Sequence, residues 1–409
     1  MPPTPDYLDE ATYAQTRLPV NYASTLLPEA YRDPAFYALE QERLWATSWV
    51  CVGFTQQLQR VGDTFLATVG DQSLLVTRSD AETIRAFYNT CRHRGAQLLS
   101  SCGNHKYFRC PYHAWGYDLD GKLKGTPYFE PEEVNAAERA IYDSIGMKAF
   151  DRADYGLLPV RVETWGCFVF VNLDDRAAPL AEQLGDVPER VRRYPLTDLA
   201  RTRTVDYSIG ANWKLVAENY MEYYHLPWVH PTLNRVSHLN NHYPFQGEGW
   251  YYGMTTAPLD EDPEVSLDKG LPPMPGLEAE EQQSARWLWL FPNIAISLLP
   301  YHMATMLLVP DGPGRTQERF DFFFHPNALD LPQFACVAEQ VYDLWDLTNR
   351  EDITIVEAVQ QGLANRAYRG GRMCYRFEES IHRFQNHVID KMAAKAGVVE
   401  RERAITKGF

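Results

Sequence analysis

Apolar residues alternate with polar ones in the short runs TFLATVG, SLLVTRS and TIRAFYN, which Gly-Asp and Ser-Asp-Ala-Glu turns separate. Period-two patterning of this length, bounded by turn residues, predicts a small antiparallel β domain over residues 47–165. Before it, residues 1–46 read as a polar arm followed by a helical segment, because PAFYALEQERLWATSW carries its apolar residues at helical spacing. The run WGCFVFVNL predicts one more strand, leading into a second domain over residues 166–409. There RWLWLF, IAISLL, ATMLLVP and ERFDFFFH predict buried strands. Gln333 to Leu363 predicts a long helix, with Phe334, Val337, Ala338, Val341, Leu344, Trp345, Ile353, Val356 and Val359 as its stripe and Gly362 as its stop. The expected fold class is α+β, with an antiparallel sheet and long helices packed on one of its faces. Pro258 to Glu281, rich in Pro, Asp, Glu and Gly, predicts a mobile loop, and no repeat or low-complexity run interrupts the pattern.

A further helix is predicted in NWKLVAENYMEYYHLPWVHP, Asn212 to Pro231. Trp213, Val216, Ala217, Tyr220, Met221 and Tyr224 form its buried stripe and Pro227 ends it. On that helix Glu218, Glu222 and His225 fall on one face at steps of four and three, and His230 follows the break.

Two clusters carry metal-binding residue types. Cys91-Arg92-His93 has the spacing C-x-H, and Cys110-Pro111-Tyr112-His113 has C-x-x-H. Two thiolates on one iron and two imidazoles on the other is the ligand set of a Rieske [2Fe-2S] centre. Structural zinc sites instead pair Cys with Cys and His with His, so zinc is the weaker reading. Downstream, His225 and His230, from a helix end and the turn after it, need only one carboxylate to make the facial triad that holds Fe(II) and leaves positions open for O₂ and substrate. Glu351, Asp352 and Glu357 in the long helix are the acidic candidates.

Composition limits the partners. The chain has 409 residues, 45% hydrophobic and 23% charged, enough for two domains with cores. The net charge of -15 argues against nucleic acid, which needs a cationic surface. Locally the sign reverses: Arg92, Arg94, Lys106, Arg109, Lys122 and Lys124 crowd the cluster loops, a collar suited to steering an acidic electron donor. Seven cysteines, an odd number spread along the chain, predict a reducing, cytoplasmic setting rather than a disulfide framework. Cys51, Cys102, Cys167, Cys336 and Cys374 are then expected as small buried hydrophobes. The N-terminus lacks the basic and apolar regions of a secretory signal. The apolar stretch Trp287 to Pro310 is broken by Pro292, Asn293, Pro300 and His302 and predicts two buried strands around a turn, so no membrane partner is expected. No G-x-G-x-x-G follows a strand, so nicotinamide electrons would have to come through a separate protein.

The loops CRHRGAQL and CPYHAWGYDLDGKL resemble the Rieske domain of the Rieske non-haem iron oxygenases, large or α subunit. The series Glu218, Asn219, Glu222, His225, His230 resembles the signature E/D-N-x-x-D/E-x-x-H-x₄-H of that family's catalytic domain. The resemblance spans most of the chain, from about Leu44 onward. It implies a helix-grip, START-like catalytic domain behind the Rieske domain, with Cys91, His93, Cys110 and His113 on the cluster and His225 and His230 on a mononuclear Fe(II). In REDITIVEAVQQGL it makes Asp352, five before Glu357, the third iron ligand. It gives Asn219 and Glu222 catalytic roles, with Glu222 bridging His225 to a cluster His113 of the neighbouring subunit in a head-to-tail homotrimer. Electrons would come from NAD(P)H through a ferredoxin or flavin reductase. QQGLANRAYRGGR and IHRF resemble the branch containing choline and glycine-betaine monooxygenases, which implies a quaternary ammonium substrate held by aromatic faces. Tyr220, Tyr223, Tyr224, Trp228, Trp250, Tyr251, Trp287 and Trp289 are the candidates for that cage. The alternatives are an aromatic acid hydroxylated on its ring, a Rieske electron carrier without oxygen chemistry, and a structural zinc protein.

Overall fold

The computed structural model describes residues 5–128, 135–145, 150–260, 265 and 270–393. The chain divides into two compact units, Val52–Ala177 and Met1–Cys51 together with Ala178–Phe409. The segment Pro258–Glu281, expected as a mobile loop, lies partly outside the described residues.

Strands β1 (Val50–Phe54), β2 (Asp63–Val69), β3 (Gln72–Arg78), β4 (Ile84–Tyr88) and β5 (Gly103–Asn104) come first. The short β6 (Phe108–Arg109), β7 (Gly116–Tyr117) and β8 (Leu123–Gly125) follow, then β9 (Pro159–Trp165) and β10 (Phe168–Asn172). They make a seven-stranded sheet in the order β1-β10-β9-β4-β3-β2-β5 and a three-stranded sheet β6-β7-β8. The alternating runs of the sequence are β2, β3 and β4, an antiparallel meander with Leu66 opposite Leu75 and Leu75 opposite Phe87. The boundary expected after residue 165 falls inside a hairpin: Phe168 pairs with Trp165 and Asn172 with Arg161, so β10 closes the first sheet instead of leading out of it.

The second unit holds a seven-stranded antiparallel sheet of β11 (Ala200–Ile209), β12 (His242–Phe245), β13 (Tyr251–Thr256), β14 (Ala285–Leu290), β15 (Ile294–Leu298), β16 (Met303–Pro310) and β17 (Thr316–Phe324). Its order is β11-β17-β16-β15-β14-β13-β12. Residues opposite each other in the ladder share a face. The pairs Tyr252–Trp289, Met254–Trp287, Trp289–Ala295, Ala295–Met306 and Met306–Phe320 therefore line up on one side. The helices lie on that side. Trp345 of the helix Phe334–Gly362 packs 5.9 Å from Trp287 and 5.6 Å from Phe320, and Phe384 of the helix Glu379–Met392 packs 5.8 Å from Tyr252. Tyr220 of the helix Trp213–Tyr220 sits 6.1 Å from Trp289. The stretch Trp287 to Pro310 takes in the three strands β14, β15 and β16, which match the runs RWLWLF, IAISLL and ATMLLVP, and not two strands around a single turn.

The N-terminal arm, expected as a separate piece, belongs to this second unit. Arg17 bonds Asp390 at 2.7 Å, and Glu40 bonds Lys214 at 2.6 Å with both side chains 0% exposed. Tyr31, Phe36 and Trp213 present ring faces to the Lys214 ammonium. The charge pair thus fastens the arm to the helix that leads into the candidate iron site.

Candidate metal centres

Two loops of the first unit repeat one hydrogen-bond pattern. In the first, Cys91 N–H donates to Ala96 and its carbonyl accepts from Gly95; in the second, Cys110 N–H donates to Trp115 and its carbonyl accepts from Ala114. Each knuckle turns through a left-handed residue, Gly95 at φ 70° and Ala114 at φ 57°. Glycine meets that demand freely, whereas Ala114 takes it with a Cβ. The knuckles bring the Cys91 and Cys110 thiols within hydrogen-bonding reach, both buried, and set the His93 and His113 rings 4.7 Å apart nearer the surface. Trp115 stacks on His93 at 4.7 Å, and the Tyr117 hydroxyl meets Cys91 Sγ at 3.3 Å and accepts from the Arg92 N–H at 3.0 Å. Burial pushes the Cys91 thiol up, which makes a free thiolate costly there. Arg94, Lys106, Arg109, Lys122 and Lys124 of the basic collar are exposed, and Arg92 is half-buried.

In the second unit, the helix predicted to run to Pro227 stops at Tyr220. Asn212 caps its start by accepting from the Lys214 N–H at 3.0 Å. After Met221 the Glu222 carboxylate turns back to accept from the Tyr224 and His225 N–H groups, and Pro227 occupies the first turn of a second helix, Leu226–Val229. Pro is suited to that position because its missing N–H would have no partner there. Glu218, Glu222 and His225 therefore do not share a helical face. Glu218 accepts from Tyr31 at 2.6 Å and Gln385 at 3.0 Å in a structural network, whereas Glu222 meets His225 Nδ1.

His225, His230 and Asp352 converge, each offering one ligand atom within 4.8 Å of the others. Asp352 Oδ1 lies 2.8 Å from His230 Nε2 and 3.6 Å from His225 Nε2. Burial opposes the protonated form of both imidazoles, but the bonded carboxylates outweigh it and both are raised. Of the other acids, Glu351 Oε2 lies 2.7 Å from His230 Nδ1, on the far side of the ring, and Glu357 is occupied by the Gly210 N–H at 2.8 Å. Beside the triad opens a cavity of about 550 Å³, its mouth included. Asn219, Tyr220, Glu222 and Tyr223 line it, with Trp287 and Phe320 from the sheet and Trp345, Thr348 and Asn349 from the long helix.

The Rieske [2Fe-2S] domain family matches residues 48–143, and the ring hydroxylating alpha subunit (catalytic domain) family matches residues 196–394. The chain belongs to the Rieske non-haem iron oxygenases. Choline monooxygenase, chloroplastic, of Atriplex hortensis is 27% identical over 377 residues, 90% of this chain and 78% of that one. The carnitine monooxygenase oxygenase subunit of Escherichia coli K12 is 29% identical over 368 residues, 86% and 89% of the two chains. A solved quaternary ammonium Rieske monooxygenase, described with carnitine oxidation by gut microbiota and inter-subunit electron transfer, superposes with a TM-score of 0.75 at 25% identity, over 95% of this chain and 99% of that one. As a Rieske oxygenase the protein uses a [2Fe-2S] cluster, a mononuclear iron, O₂ and electrons from a reductase to oxidise a small organic substrate.

The residues present fit both groups. Two buried thiols and two imidazoles nearer the surface would supply the Cys₂His₂ donor set of a [2Fe-2S] cluster, and two imidazoles plus one carboxylate would hold an iron with room for further ligands. Of the aromatic residues expected around the substrate, Tyr220, Tyr223 and Trp287 line the cavity, Tyr224 and Trp228 are exposed, and Trp250, Tyr251 and Trp289 pack elsewhere. Phe320 and Trp345 were missed as cavity residues. The signal was present for Trp345, which precedes Asn349 and Asp352 at steps of four and three on one helical face. Among the cysteines, Cys51 and Cys167 are buried as expected, but Cys102 and Cys336 are exposed and Cys374 is half-buried, because they fall on loops and helix faces that no second layer covers. None of the described helices is long and apolar enough to cross a membrane.

Proposed function

We propose that this Rieske oxygenase hydroxylates a carbon bonded to the nitrogen of a small quaternary ammonium compound. The observation that carries this reading is the wall of the cavity. Trp287 Nε1 donates to Thr256 at 2.9 Å, Trp345 Nε1 donates to His302 at 2.9 Å, and the Tyr220 hydroxyl bonds Ser297 at 3.0 Å. His302 is buried and held neutral, down at about 3 by desolvation, so it remains an acceptor. With their polar edges satisfied outside the cavity, these residues line it with aromatic surface, and Phe320 adds another ring. Aromatic faces attract a cation that cannot donate hydrogen bonds. No Lys or Arg stands among the described lining residues to oppose it.

In this reading Cys91, Cys110, His93 and His113 hold the cluster, and His225, His230 and Asp352 hold the iron. The cluster supplies electrons singly and the iron activates O₂. Glu222 fixes the His225 tautomer through Nδ1 and bridges to His113 of the partner subunit, while Asn219 lines the approach to the iron. That bridge is a head-to-tail contact, and the family resemblance makes the ring it closes a homotrimer. Trp228, 81% exposed, Tyr224 and Tyr375 are exposed aromatic residues available to the contact, and exposed Tyr112 lies in the second cluster loop, with Tyr107 exposed ahead of it. The basic collar takes the ferredoxin or flavin reductase, which draws on NAD(P)H. A reducing, cytoplasmic setting suits cysteines that form no disulfide.

The test is turnover of choline, carnitine, glycine betaine and tetramethylammonium against benzoate-type acids, with reductase and NADH, reading released aldehyde. Aldehyde coupled to O₂ uptake from an ammonium compound is the expected result. Turnover confined to aromatic acids, with no C–N cleavage, would overturn the reading.

A further inference from the structure

His230 is 1% exposed, and consecutive residues of one helix reach opposite nitrogens of its ring: Glu351 Oε2 lies 2.7 Å from Nδ1 and Asp352 Oδ1 lies 2.8 Å from Nε2. The other imidazole is arranged alike, with Glu222 at Nδ1 and Asp352 on the Nε2 side of His225. From these contacts we infer that Glu351 is a positioning residue for the mononuclear iron, gripping His230 so that its Nε2 lone pair faces the metal. The inference rests on the reading that His225, His230 and Asp352 hold that iron.

The physical need is specific. An imidazole has two tautomers and a nearly two-fold preference about its outer torsion, and only one combination aims a lone pair at the metal. An acceptor fixed at Nδ1 requires the proton there and makes the flipped ring, which would turn carbon toward the carboxylate, unfavourable. His230 needs such a partner because it stands just after the short helix Leu226–Val229, at φ −118° and ψ 62°, where helical packing no longer directs its ring. Glu351 can supply it without competing for iron, since it reaches the ring nitrogen remote from the convergent donors.

The test uses the full-length protein with its cluster intact and the mononuclear site stripped, titrated anaerobically with Fe(II) and read by the EPR signal of the ferrous nitrosyl after adding nitric oxide. Glu351→Ala is expected to bind Fe(II) about 10- to 100-fold more weakly than wild type, the range for losing such a partner. Glu351→Gln, whose amide oxygen can accept the same bond, is expected to recover most of that loss. Asp352→Ala is expected to abolish the signal. If Glu351→Ala does not fold, Glu351→Met, of similar length and unable to accept the bond, takes its place. Wild-type affinity in the Ala or Met variant, beside loss in Asp352→Ala, would overturn the role of Glu351 and leave the triad standing. Loss in every Glu351 variant with Fe(II) retained in Asp352→Ala would make Glu351 the ligand and overturn both readings. An unchanged cluster spectrum and melting temperature mark the effect as local.

Discussion

Replacing Trp345 with Leu removes an aromatic ring from the cavity wall while keeping an apolar side chain in the long helix. Trp345 is only 8% exposed, and its ring is flanked by Trp287 at 5.9 Å and Phe320 at 5.6 Å, so a cation against it is shielded from water. A desolvated cation–π contact is worth about 2 kcal/mol, which corresponds to a loss of about 30-fold in binding. Shape and burial contribute as well, and a neutral isostere separates them. An ammonium ligand and its carbon analogue, with a quaternary carbon in place of nitrogen, have nearly the same volume but differ in charge. Dissociation constants for the pair, measured calorimetrically well below the melting temperature, should show the ammonium compound losing its advantage by about 30-fold in Trp345→Leu. Trp345→Phe keeps a ring, though no N–H for His302, and should lose less. If both ligands weaken by the same factor in Trp345→Leu, the wall recognises shape alone and the cationic reading of the cavity fails.

Lys214→Met should cost about 3–5 kcal/mol, read as a lower melting temperature, because Glu40 loses its charge partner in the core and keeps only the Trp213 N–H at 3.5 Å, and Lys214→Met with Glu40→Leu should recover most of it. An unchanged single variant would refute that account. Glu318, 1% exposed beneath the Asn349 amide at 2.6 Å, is pushed up to about 7 by burial and by the Asp352 charge. Its folded value lies above its unfolded one, so the stability it contributes is complete below about pH 4.5 and is lost as pH rises toward 7, by roughly 3 kcal/mol at most. Glu318→Gln should remove that slope in denaturant titrations of iron-stripped protein at pH 5 and pH 8; equal slopes in both proteins would contradict it. Glu222→Gln should leave both metal sites filled and slow coupled turnover by roughly 10- to 100-fold. Normal O₂ uptake in step with product would rule out the bridge.

The kinds of metal centre were legible in the sequence because they depend on residue types at short spacing. C-x-H, C-x-x-H and H-x₄-H each lie within one loop or turn, and the alternation of TFLATVG and the stripe of Gln333–Leu363 report periods that the backbone itself imposes. The helix break after Tyr220 was not legible, since Glu222 captures the Tyr224 and His225 N–H groups only once the chain has turned. Local spacing likewise could not separate Glu218 from Glu222. Tyr31 and Gln385, far away in the chain, claim the first, and the histidine claims the second.

By itself, then, the amino-acid order determined the kinds of metal centre, the approximate positions of most strands and the long helix, because those follow from donor chemistry and local periodicity. Which acid faces which ring nitrogen, that the arm packs with the catalytic unit, and that Trp287, Phe320 and Trp345 form one wall were decided only by tertiary structure. Those relations join residues of β14, β17 and the long helix, and only the register of the sheet and the packing of the helix across it bring such positions within contact distance.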